Sequence, residues 1–517
     1  MKTSRGSWLT LATWLLVFLV ALAMLIQTST LAYSPDSWSF VDIAMHLIDL
    51  DDGVGAVNGT RDFSNVPWVN DSFPFLWPLA LIPGIMVLGP AAPIGGYLFI
   101  LIWVATCVVM TGTAKALGLR GFIGPLAGMA LLITPGFASE GHAGRSIPLN
   151  VLLIVSAIWV LLAMVRKPTT ARALLLGVLL GLAAANRFDA LAYGPLFILS
   201  ALAFRFIKNR EALIASLSWL FFPLIWAAYS VTHLGGLYTN ESSRLALSAT
   251  KIYPNFWFSG DVAAPLDFWG MAGRMLMGVA ALSDTLKMSL IFLGLGVLAV
   301  ALGGAIVRLE ISGALAVLQG NREKVFVDVS RFRIWLLSLL LLLASTQLIA
   351  LIITGYGDPR YWGVSSAVII EILLCTVAIN QRLNPAATSR KKEMSSTAAV
   401  VMLVILSSSG LANSAREYRN SGDQTALDAQ LVSCLRELDG VAIAPGLAAY
   451  RIAATTELRV SAPPGNAGSL TETDWDELTS TYDLSFWAMT GDPDESAMPQ
   501  AAQKTLTQVD CNSKLTP

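Results

Sequence analysis

Charged and metal-binding residues are scarce in this sequence. Asp, Glu, Lys and Arg make up only 13% of the 517 residues, whereas 55% of the residues are hydrophobic. No run of Lys and Arg with interleaved aromatic residues occurs, which excludes the basic surface typical of nucleic-acid-binding proteins. The 4 cysteines and 3 histidines are not spaced as zinc ligands. A mean hydropathy of +0.63 places the chain among membrane proteins with several spans.

The apolar runs predict eleven membrane-spanning helices. The first run, residues 8–32, follows Lys2 and Arg5 and is too long for the apolar core of a cleaved signal peptide, so it is predicted to remain as an anchor. The other ten runs lie at residues 95–116, 121–138, 148–165, 172–186, 190–204, 212–232, 286–307, 334–354, 362–380 and 396–412. The run 75–89 is short and contains two prolines, which predicts an interfacial or re-entrant helix instead.

The basic residues predict which side of the membrane each loop faces. With a cytoplasmic N-terminus, the inner segments carry nineteen Lys and Arg residues, and the outer loops before residue 413 carry eight. This bias agrees with the positive-inside rule. The predicted outer face then holds a long acidic loop at 33–94, a short loop at 139–147, a tight turn at 186–189, a second long loop at 233–285 and a turn at 355–361.

The sequence predicts two domains. Residues 1–412 form an all-α polytopic membrane domain, and the polar tail 413–517 forms a small α+β domain outside the cytoplasm, because it combines Gly and Pro turns with short apolar runs. The tail contains Cys434 and Cys511. An oxidising compartment permits a disulfide between them, and two unpaired thiols are the alternative.

The first outer loop, SPDSWSFVDIAMHLIDLDDGVG at 34–55, contains five aspartates. Its apolar residues recur at helical spacing and predict an amphipathic interfacial helix, with Asp42, His46 and Asp49 on the solvated side. Asp36 follows the first membrane helix directly, so it is predicted at the top of the helix bundle. Two roles are open for Asp36, a helix N-cap and a general base that faces a pocket at the membrane surface.

Transfer of a sugar from a lipid phosphate is a reaction that uses one carboxylate at such a place. The acceptor hydroxyl loses its proton as it attacks, and a carboxylate assists that loss. The leaving phosphate has a second pKa of about 6 and needs no general acid. Its growing negative charge needs cations or aligned N–H donors. An inverting transfer therefore needs one acidic residue together with Arg, Lys or a divalent metal ion on the outer face.

Several stretches, taken in order, resemble the GT-C glycosyltransferases, which use polyprenyl-phosphate-linked sugars. PDSWSFVDIAMHLIDLDDGVGAVNG is similar to a loop of a bacterial branch that includes the actinobacterial terminal arabinofuranosyltransferases. Asp36 takes the first place of the acidic pair of that loop, and Ser37 stands in the second. NDSFPFLWPLALIPG resembles the interfacial helix that follows, and SEGHAGRSIPLNVLL resembles a small-residue and acidic outer loop. GLAAANRFDAL and YGDPRYWGVSSAVI resemble two arginine-containing turns.

The resemblance implies a reaction and roles for three residues. An inverting enzyme would move a monosaccharide, arabinofuranose or mannose, from a polyprenyl phosphate to a cell-envelope glycan or glycolipid outside the bacterial cytoplasmic (inner) membrane. Asp36 would be the base. Arg187 and Arg360 are expected near the lipid phosphate and the sugar. Each has an acidic residue two positions away, Asp189 after Arg187 and Asp358 before Arg360. For both arginines, an ion pair between helices is the alternative.

Other residues of the predicted outer face are further candidates. Glu140, His142 and Arg145 form a polar cluster on a short loop and are expected to contact donor or acceptor. Asp71 either caps the interfacial helix or binds the acceptor. Trp257 either stacks on a sugar or belongs to an aromatic belt at the membrane surface.

A cofactor is not required by this chemistry, although Mg²⁺ or Mn²⁺ is compatible with it. Such an ion needs clustered oxygen ligands, and Asp49, Asp51 and Asp52 offer them. A solvated acidic turn is the alternative for these three residues. Ser37 in place of the second acid puts a two-carboxylate metal site in doubt.

Two functions from other classes remain open. A transporter or lipid flippase usually carries ionisable groups near the membrane midplane, but the predicted spans are nearly devoid of charge, with Glu371 as the main exception. An inactive scaffold subunit of an envelope-biosynthesis complex is the other possibility, since Ser37 replaces the second acid of the loop.

Overall fold

The computed structural model describes the fold for part of the chain. The described residues are 5–28, 37, 40–41, 44–45, 75–90, 92–133, 135–191, 193–234, 329–341, 343, 363–383, 431–436, 441–444, 460–461, 471–482, 484–489 and 498–511. The spans predicted at 286–307 and 396–412 lie outside these residues.

Apolar helices make up most of the described membrane domain. They are α1 (Arg5–Thr28), α2 (Leu76–Leu88), α3 (Ile94–Ala116), α4 (Ile123–Ala130), α5 (Pro135–His142), α6 (Ile147–Arg166), α7 (Thr170–Asn186), α8 (Tyr193–Ala203), α9 (Asn209–Leu234), α10 (329–341) and α11 (Gly363–Leu383). In the described part, 4 stretches are long and apolar enough to cross a bilayer, namely Trp8–Ile26, Ile94–Ala116, Ile147–Arg166 and Asn209–Ala228. Several shorter helices, such as α7, are also apolar. The fold is thus that of a helical, multi-pass membrane protein, and the total of eleven spans stays a prediction.

The interior of this domain is aromatic, and two of its buried indole rings are hydrogen-bonded. Trp103 and Trp335 are fully buried. The indole nitrogen of Trp103 donates to the carbonyl oxygen of Gly128 at 3.1 Å, and that of Trp335 donates to the hydroxyl oxygen of Ser200 at 2.8 Å. These bonds satisfy the one polar atom of each ring, which burial requires. The exposed side of α1 carries large apolar side chains instead, as a surface toward lipid does.

Helices α7 and α9 pack closely through two glycines. Gly177 and Gly181 are four residues apart and therefore lie on one side of α7. A Cβ atom at Gly177 would meet the carbonyl oxygen of Ala215, and one at Gly181 would meet that of Trp219 at 2.9 Å. The absence of side chains lets the two backbones approach, as small residues at this spacing do in membrane helices.

Arginines bind the carbonyl ends of two helices at one end of the bundle. Arg166 donates to the carbonyl oxygen of Ala116, the last residue of α3. Arg172 Nη1 donates to the carbonyl oxygen of Ala163 in the last turn of α6 at 2.8 Å. A cation is favourable at a helix C-terminus. The helices α3 and α6 thus end side by side, and both begin at the opposite end of the bundle.

The span predicted at 121–138 is divided in the structure. Helix α4 ends at Ala130, a short 3₁₀ turn follows at Leu131–Ile133, and α5 begins at Pro135. Proline has no amide N–H to donate to the preceding turn, and it is tolerated best in the first turn of a helix, where Pro135 lies in α5. The break carries the chain into α5, whose end holds Glu140 and His142.

Helix α2 packs against the first outer loop, as its position in the sequence predicts. Phe40 and Ala44, which were predicted to share the apolar face of a helix, are 5% and 0% exposed. They form one apolar cluster with Trp77 and Leu81 of α2 and with Ile94 at the start of α3. Phe40 and Ala44 are therefore anchored where α3 begins.

The described part of the tail contains a four-stranded sheet. Its strands are β1 (Val441–Ile443), β2 (Val460–Ser461), β3 (Leu484–Met489) and β4 (Thr507–Asp510). Their order is β2-β1-β3-β4, and every neighbouring pair is parallel, with Phe486 opposite Thr507 in the last pair. Helix α12 (Glu472–Tyr482) connects β2 to β3 and places Trp475 6.0 Å from Trp487, between ring centroids.

The parallel sheet differs from the α+β arrangement predicted for the tail. Parallel neighbours cannot be joined by a hairpin and need a crossover connection, which is typical of α/β domains. A disulfide joins Cys434, which precedes β1, to Cys511, which follows β4, with 5.6 Å between their Cα atoms.

Candidate active site

The segment 140–146, with the sequence EGHAGRS, forms the turn at the centre of the candidate site. It ends α5 with a Schellman motif: the amide of Gly144 donates to the carbonyl oxygen of Gly141 at 3.0 Å, and the amide of Arg145 donates to that of Glu140 at 2.9 Å. Gly144 has a φ of 73°, the left-handed conformation that this motif places at its position. The turn reverses the chain within four residues and starts α6 at Ile147.

An ion pair ties the two ends of this turn together. Arg145 Nη1 lies 2.8 Å from Glu140 Oε1 and 3.0 Å from Glu140 Oε2. Both side chains are largely buried, with 13% of the Arg145 side chain and 9% of the Glu140 side chain exposed. Burial strengthens the attraction because little water screens it. The carboxylate of Glu140 thus fixes the guanidinium of Arg145 at the surface of the site.

Three side chains from distant parts of the chain donate hydrogen bonds to carbonyl oxygens of the segment. The hydroxyl of Ser37 donates to Ala143, the indole nitrogen of Trp77 donates to Gly144 at 3.0 Å, and the amide nitrogen of Asn186 donates to Ser146 at 2.9 Å. This arrangement joins the first outer loop, α2 and the end of α7 to one turn. We call it the carbonyl clamp.

His142 lies on the buried side of the turn, outside the predicted spans. Its ring meets the ring of Phe99 edge to face with 5.2 Å between centroids, and the residue is 3% exposed. Burial disfavours the charged imidazolium and lowers the pKa of His142 from 6.5 to about 4. The residue is therefore neutral at physiological pH and packs in the apolar interior, which gives it a structural role beside any contact with substrate.

Arg187 is placed by the end of α7. The helix ends at Asn186, and Arg187 is already extended, with φ −154° and ψ 135°. Its amide donates to the carbonyl oxygen of Ala183 at 3.0 Å, and Asp189 lies in the 3₁₀ turn Phe188–Leu191 that follows. Because Asn186 belongs to the carbonyl clamp, Arg187 comes next to the turn that holds Arg145.

The structure brings together part of the predicted site. Glu140, His142 and Arg145, which were predicted on a short loop, lie where α5 ends, with Glu140 and His142 inside the helix, and Arg187 follows a residue bound to the turn 140–146. The remaining predicted site residues lie outside the described residues, and these are Asp36, Asp71, Trp257, Asp358 and Arg360. The acidic residues Asp49, Asp51 and Asp52, considered above as metal ligands, also lie outside them. Among the residues that the structure describes, no group of three or more His, Cys, Asp and Glu is placed to hold a metal ion.

Two members of the carbonyl clamp were not predicted from the sequence. Asn186 and Trp77 stand in stretches that the resemblance singled out, but neither was considered as a binding or positioning residue. A polar side chain at the very end of an apolar helix is the signal that would have pointed to Asn186. For Ser37, the sequence indicates only the replacement of an acid.

The comparison with known proteins rests on structure. No model of a known protein family and no curated protein matches the sequence. The archaeal oligosaccharyltransferase AglB from Archaeoglobus fulgidus, in complex with an inhibitory peptide and a dolichol-phosphate, is similar with a TM-score of 0.50 and 11% identity over 91% of this chain and 68% of that chain. The chain therefore shares the fold of this structure.

Two other solved structures are similar at lower TM-scores. ArnT from Cupriavidus metallidurans, bound to undecaprenyl phosphate, has a TM-score of 0.43 and 13% identity over 99% of this chain and 91% of that chain. The Archaeoglobus fulgidus oligosaccharyltransferase in its apo form has a TM-score of 0.49 and 11% identity over 92% of this chain and 69% of that chain.

Proposed function

We propose that this protein is an inverting glycosyltransferase that uses a polyprenyl-phosphate-linked monosaccharide. The donor sugar is arabinofuranose or mannose, and the acceptor is a cell-envelope glycan or glycolipid. The reaction takes place on the outer face of the bacterial cytoplasmic membrane. The N-terminus lies in the cytoplasm, and the tail 413–517 lies outside and holds the acceptor.

The carbonyl clamp is the observation that carries this proposal. It fixes Arg145 on a rigid turn, brings Arg187 beside that turn through Asn186, and binds Ser37, the residue after Asp36. A carboxylate and two guanidinium groups are the set that an inverting transfer from a lipid phosphate needs. The GT-C fold supports the donor class, because the similar AglB structure contains a dolichol-phosphate.

Each residue then has a distinct part in the reaction. Asp36 accepts the proton of the attacking acceptor hydroxyl. Arg145 and Arg187, joined by Arg360, stabilise the negative charge that grows on the leaving phosphate, and guanidinium groups suit phosphate because they donate in a planar fork. Asp358 orients Arg360. Water is kept from the site by the buried side of the turn, where His142 packs.

Glu140 serves as an anchor for Arg145 in this scheme. Both of its carboxylate oxygens accept hydrogen bonds from Arg145 Nη1, so the carboxylate is engaged by its neighbour. A residue that must take a proton from substrate needs an oxygen directed at that substrate. The base is therefore assigned to Asp36.

Transfer by the purified protein tests the proposal. The protein in nanodiscs is incubated with radiolabelled polyprenyl-phosphate arabinofuranose or mannose and with envelope acceptors, and wild type is compared with Asp36→Asn. We expect transfer by the wild type and a loss of about 10²-fold or more in the variant, the scale for removal of a general base. Asp42→Asn, on the predicted solvated side of the same loop, is the matched control and should retain wild-type transfer.

Other outcomes would redirect the proposal. Transfer unchanged by Asp36→Asn would leave the reaction class standing but make Asp36 a helix cap. Absence of transfer from every donor, with donor binding retained, would favour an inactive scaffold subunit. Absence of both, together with movement of lipid between the leaflets, would favour a flippase.

A further inference from the structure

We infer that Ser37 is a positioning residue that holds Asp36 in place through its hydrogen bond to the turn 140–146. The inference rests on the proposed function, in which Asp36 is the base. It also explains why this chain has a serine where the family that it resembles has a second acid.

The bond of Ser37 joins residues that are far apart in the sequence. Its hydroxyl donates to the carbonyl oxygen of Ala143, and the two residues are separated by 106 positions. Ser37 is 1% exposed, so little water competes for this bond. A buried hydrogen bond between two loops limits how far the donor residue can move.

The acceptor side of this bond is rigid. Ala143 lies inside the Schellman motif, directly before Gly144. The neighbouring carbonyl of Gly144 is bound by Trp77 and that of Ser146 by Asn186. The turn is therefore held from two other sides, and Ser37 is tied to a fixed point.

The chemistry of the acceptor explains the serine. A carbonyl oxygen only accepts hydrogen bonds, and an ionised carboxylate also only accepts them. An aspartate at position 37 would place two acceptors against each other in a buried site, whereas a hydroxyl donates. The serine therefore replaces a second acid by an anchor, and the departure from the acidic pair is compatible with an active enzyme.

The anchor acts on the preceding residue in the chain. Consecutive Cα atoms are about 3.8 Å apart, so fixing Ser37 restricts the position of Asp36. A displacement of about 1 Å of a catalytic group can lower a rate by about 10²-fold. Loss of the anchor should therefore lower kcat and leave the KM for the donor largely unchanged, because the Ser37 hydroxyl is buried and directed at Ala143.

Transfer kinetics of Ser37 variants give the first test. We expect Ser37→Ala to lower kcat by about 10-fold or more and Ser37→Asp to lower it at least as much, with KM within about threefold of wild type. Ser37→Thr keeps the hydroxyl and should retain most of the activity. Ser338→Ala is the matched control, because Ser338 donates to Ile334 within its own helix. If Ser37→Ala keeps full kcat in the same assay in which Asp36→Asn is inactive, the positioning role is overturned and the proposed function stays intact.

A second test does not depend on transfer. Cys107 and Cys375 are buried and Cys434 and Cys511 are bonded to each other, so an Asp36→Cys variant presents a new thiol against a low background. We expect Ser37→Ala, added to Asp36→Cys, to raise the rate of modification by a membrane-impermeant maleimide at least fivefold, and Ser37→Thr to leave it near that of Asp36→Cys alone. Equal rates in all three proteins would overturn the inference whether or not the protein transfers sugar.

Discussion

Arg145 Nη1 lies 2.8 Å and 3.0 Å from the two carboxylate oxygens of Glu140. The same two residues are also joined through the backbone, where the amide of Arg145 donates to the carbonyl oxygen of Glu140 at 2.9 Å. The arginine is thus held by main chain and side chain at once. The orientation of its guanidinium is decided within one turn of the chain and needs no substrate to establish it.

Removal of one partner of this ion pair should destabilise the protein. Glu140→Ala or Arg145→Ala leaves a charge that is mostly buried without its counterion, which typically costs about 3 kcal/mol or more. The double variant removes both charges and should be more stable than the sum of the two single losses predicts. Denaturation in detergent, followed for all four proteins, measures this coupling.

An exposed ion pair in the tail is the matched control. Lys504 Nζ lies 2.6 Å from Glu472 Oε1, but 67% of the lysine side chain and 56% of the glutamate side chain are exposed. Water screens such a pair, so its removal should cost no more than about 1 kcal/mol. Equal losses at both pairs would contradict the importance of burial at Glu140 and Arg145.

Two buried tryptophans separate stability from activity. Trp77→Phe and Trp103→Phe each keep an aromatic ring but remove an indole donor. The first leaves the carbonyl of Gly144 without that donor and the second the carbonyl of Gly128, and each loss should lower the free energy of unfolding by about 1–3 kcal/mol. Only Gly144 belongs to the turn of the candidate site. We therefore expect similar losses of thermal stability but a loss of transfer of about fivefold or more in Trp77→Phe alone. Equal transfer rates in the two variants would remove α2 from the positioning of the site.

Acidification should destabilise the protein through His142. The folded-state pKa is about 4 and the ordinary value is 6.5. Between these values the unfolded chain binds a proton that the folded protein does not bind. The free energy of unfolding therefore falls as the pH drops from about 6.5 to about 4, by up to about 3 kcal/mol.

The variant His142→Gln checks the source of this pH dependence. Glutamine does not titrate, so the loss of stability between pH 6.5 and 4 should be smaller than in the wild type, although the variant is less stable at neutral pH. Thermal denaturation at several pH values gives both curves. Parallel curves would assign the acid sensitivity to other groups.

Arg205 offers a stabilising substitution. Its φ of 56° places a side chain in the left-handed region, where the Schellman motif after α8 requires it: the amides of Arg205 and Phe206 donate to Leu202 and Ala201 at 2.9 Å each. Arg205→Gly removes the strain of a Cβ atom and should raise the free energy of unfolding by about 0.5–1 kcal/mol. Arg205→Ala removes the same charge but keeps the strain, so it should not raise the free energy of unfolding. If alanine raises it as much as glycine does, the stabilisation comes from loss of the charge and not from relief of backbone strain.

Much of the helical fold could be predicted from the sequence. The helices observed at Ile94–Ala116, Ile147–Arg166 and Thr170–Asn186 lie within two residues of the predicted spans 95–116, 148–165 and 172–186. This agreement has a physical cause. A bilayer demands long uninterrupted apolar runs, and such runs stand out against polar loops.

The carbonyl clamp could not be predicted in the same way. Its acceptors are backbone oxygens of Ala143, Gly144 and Ser146, and every residue carries such an oxygen, so no residue type marks them. The donors are identified only when the fold brings them to the turn. The parallel pairing of the strands in the tail could not be predicted for a related reason, because strands of two to six residues show no direction in their sequence pattern.

The disulfide of the tail has a consequence for the order of assembly. Cys434 stands before the first strand of the sheet and Cys511 after the last, 77 positions later. The bond can form only after the whole sheet-forming sequence has been synthesised, so the tail is closed by its disulfide as the last step of its folding. A chain arrested before residue 511 would display an unsealed tail with Cys434 exposed to oxidants and to other thiols.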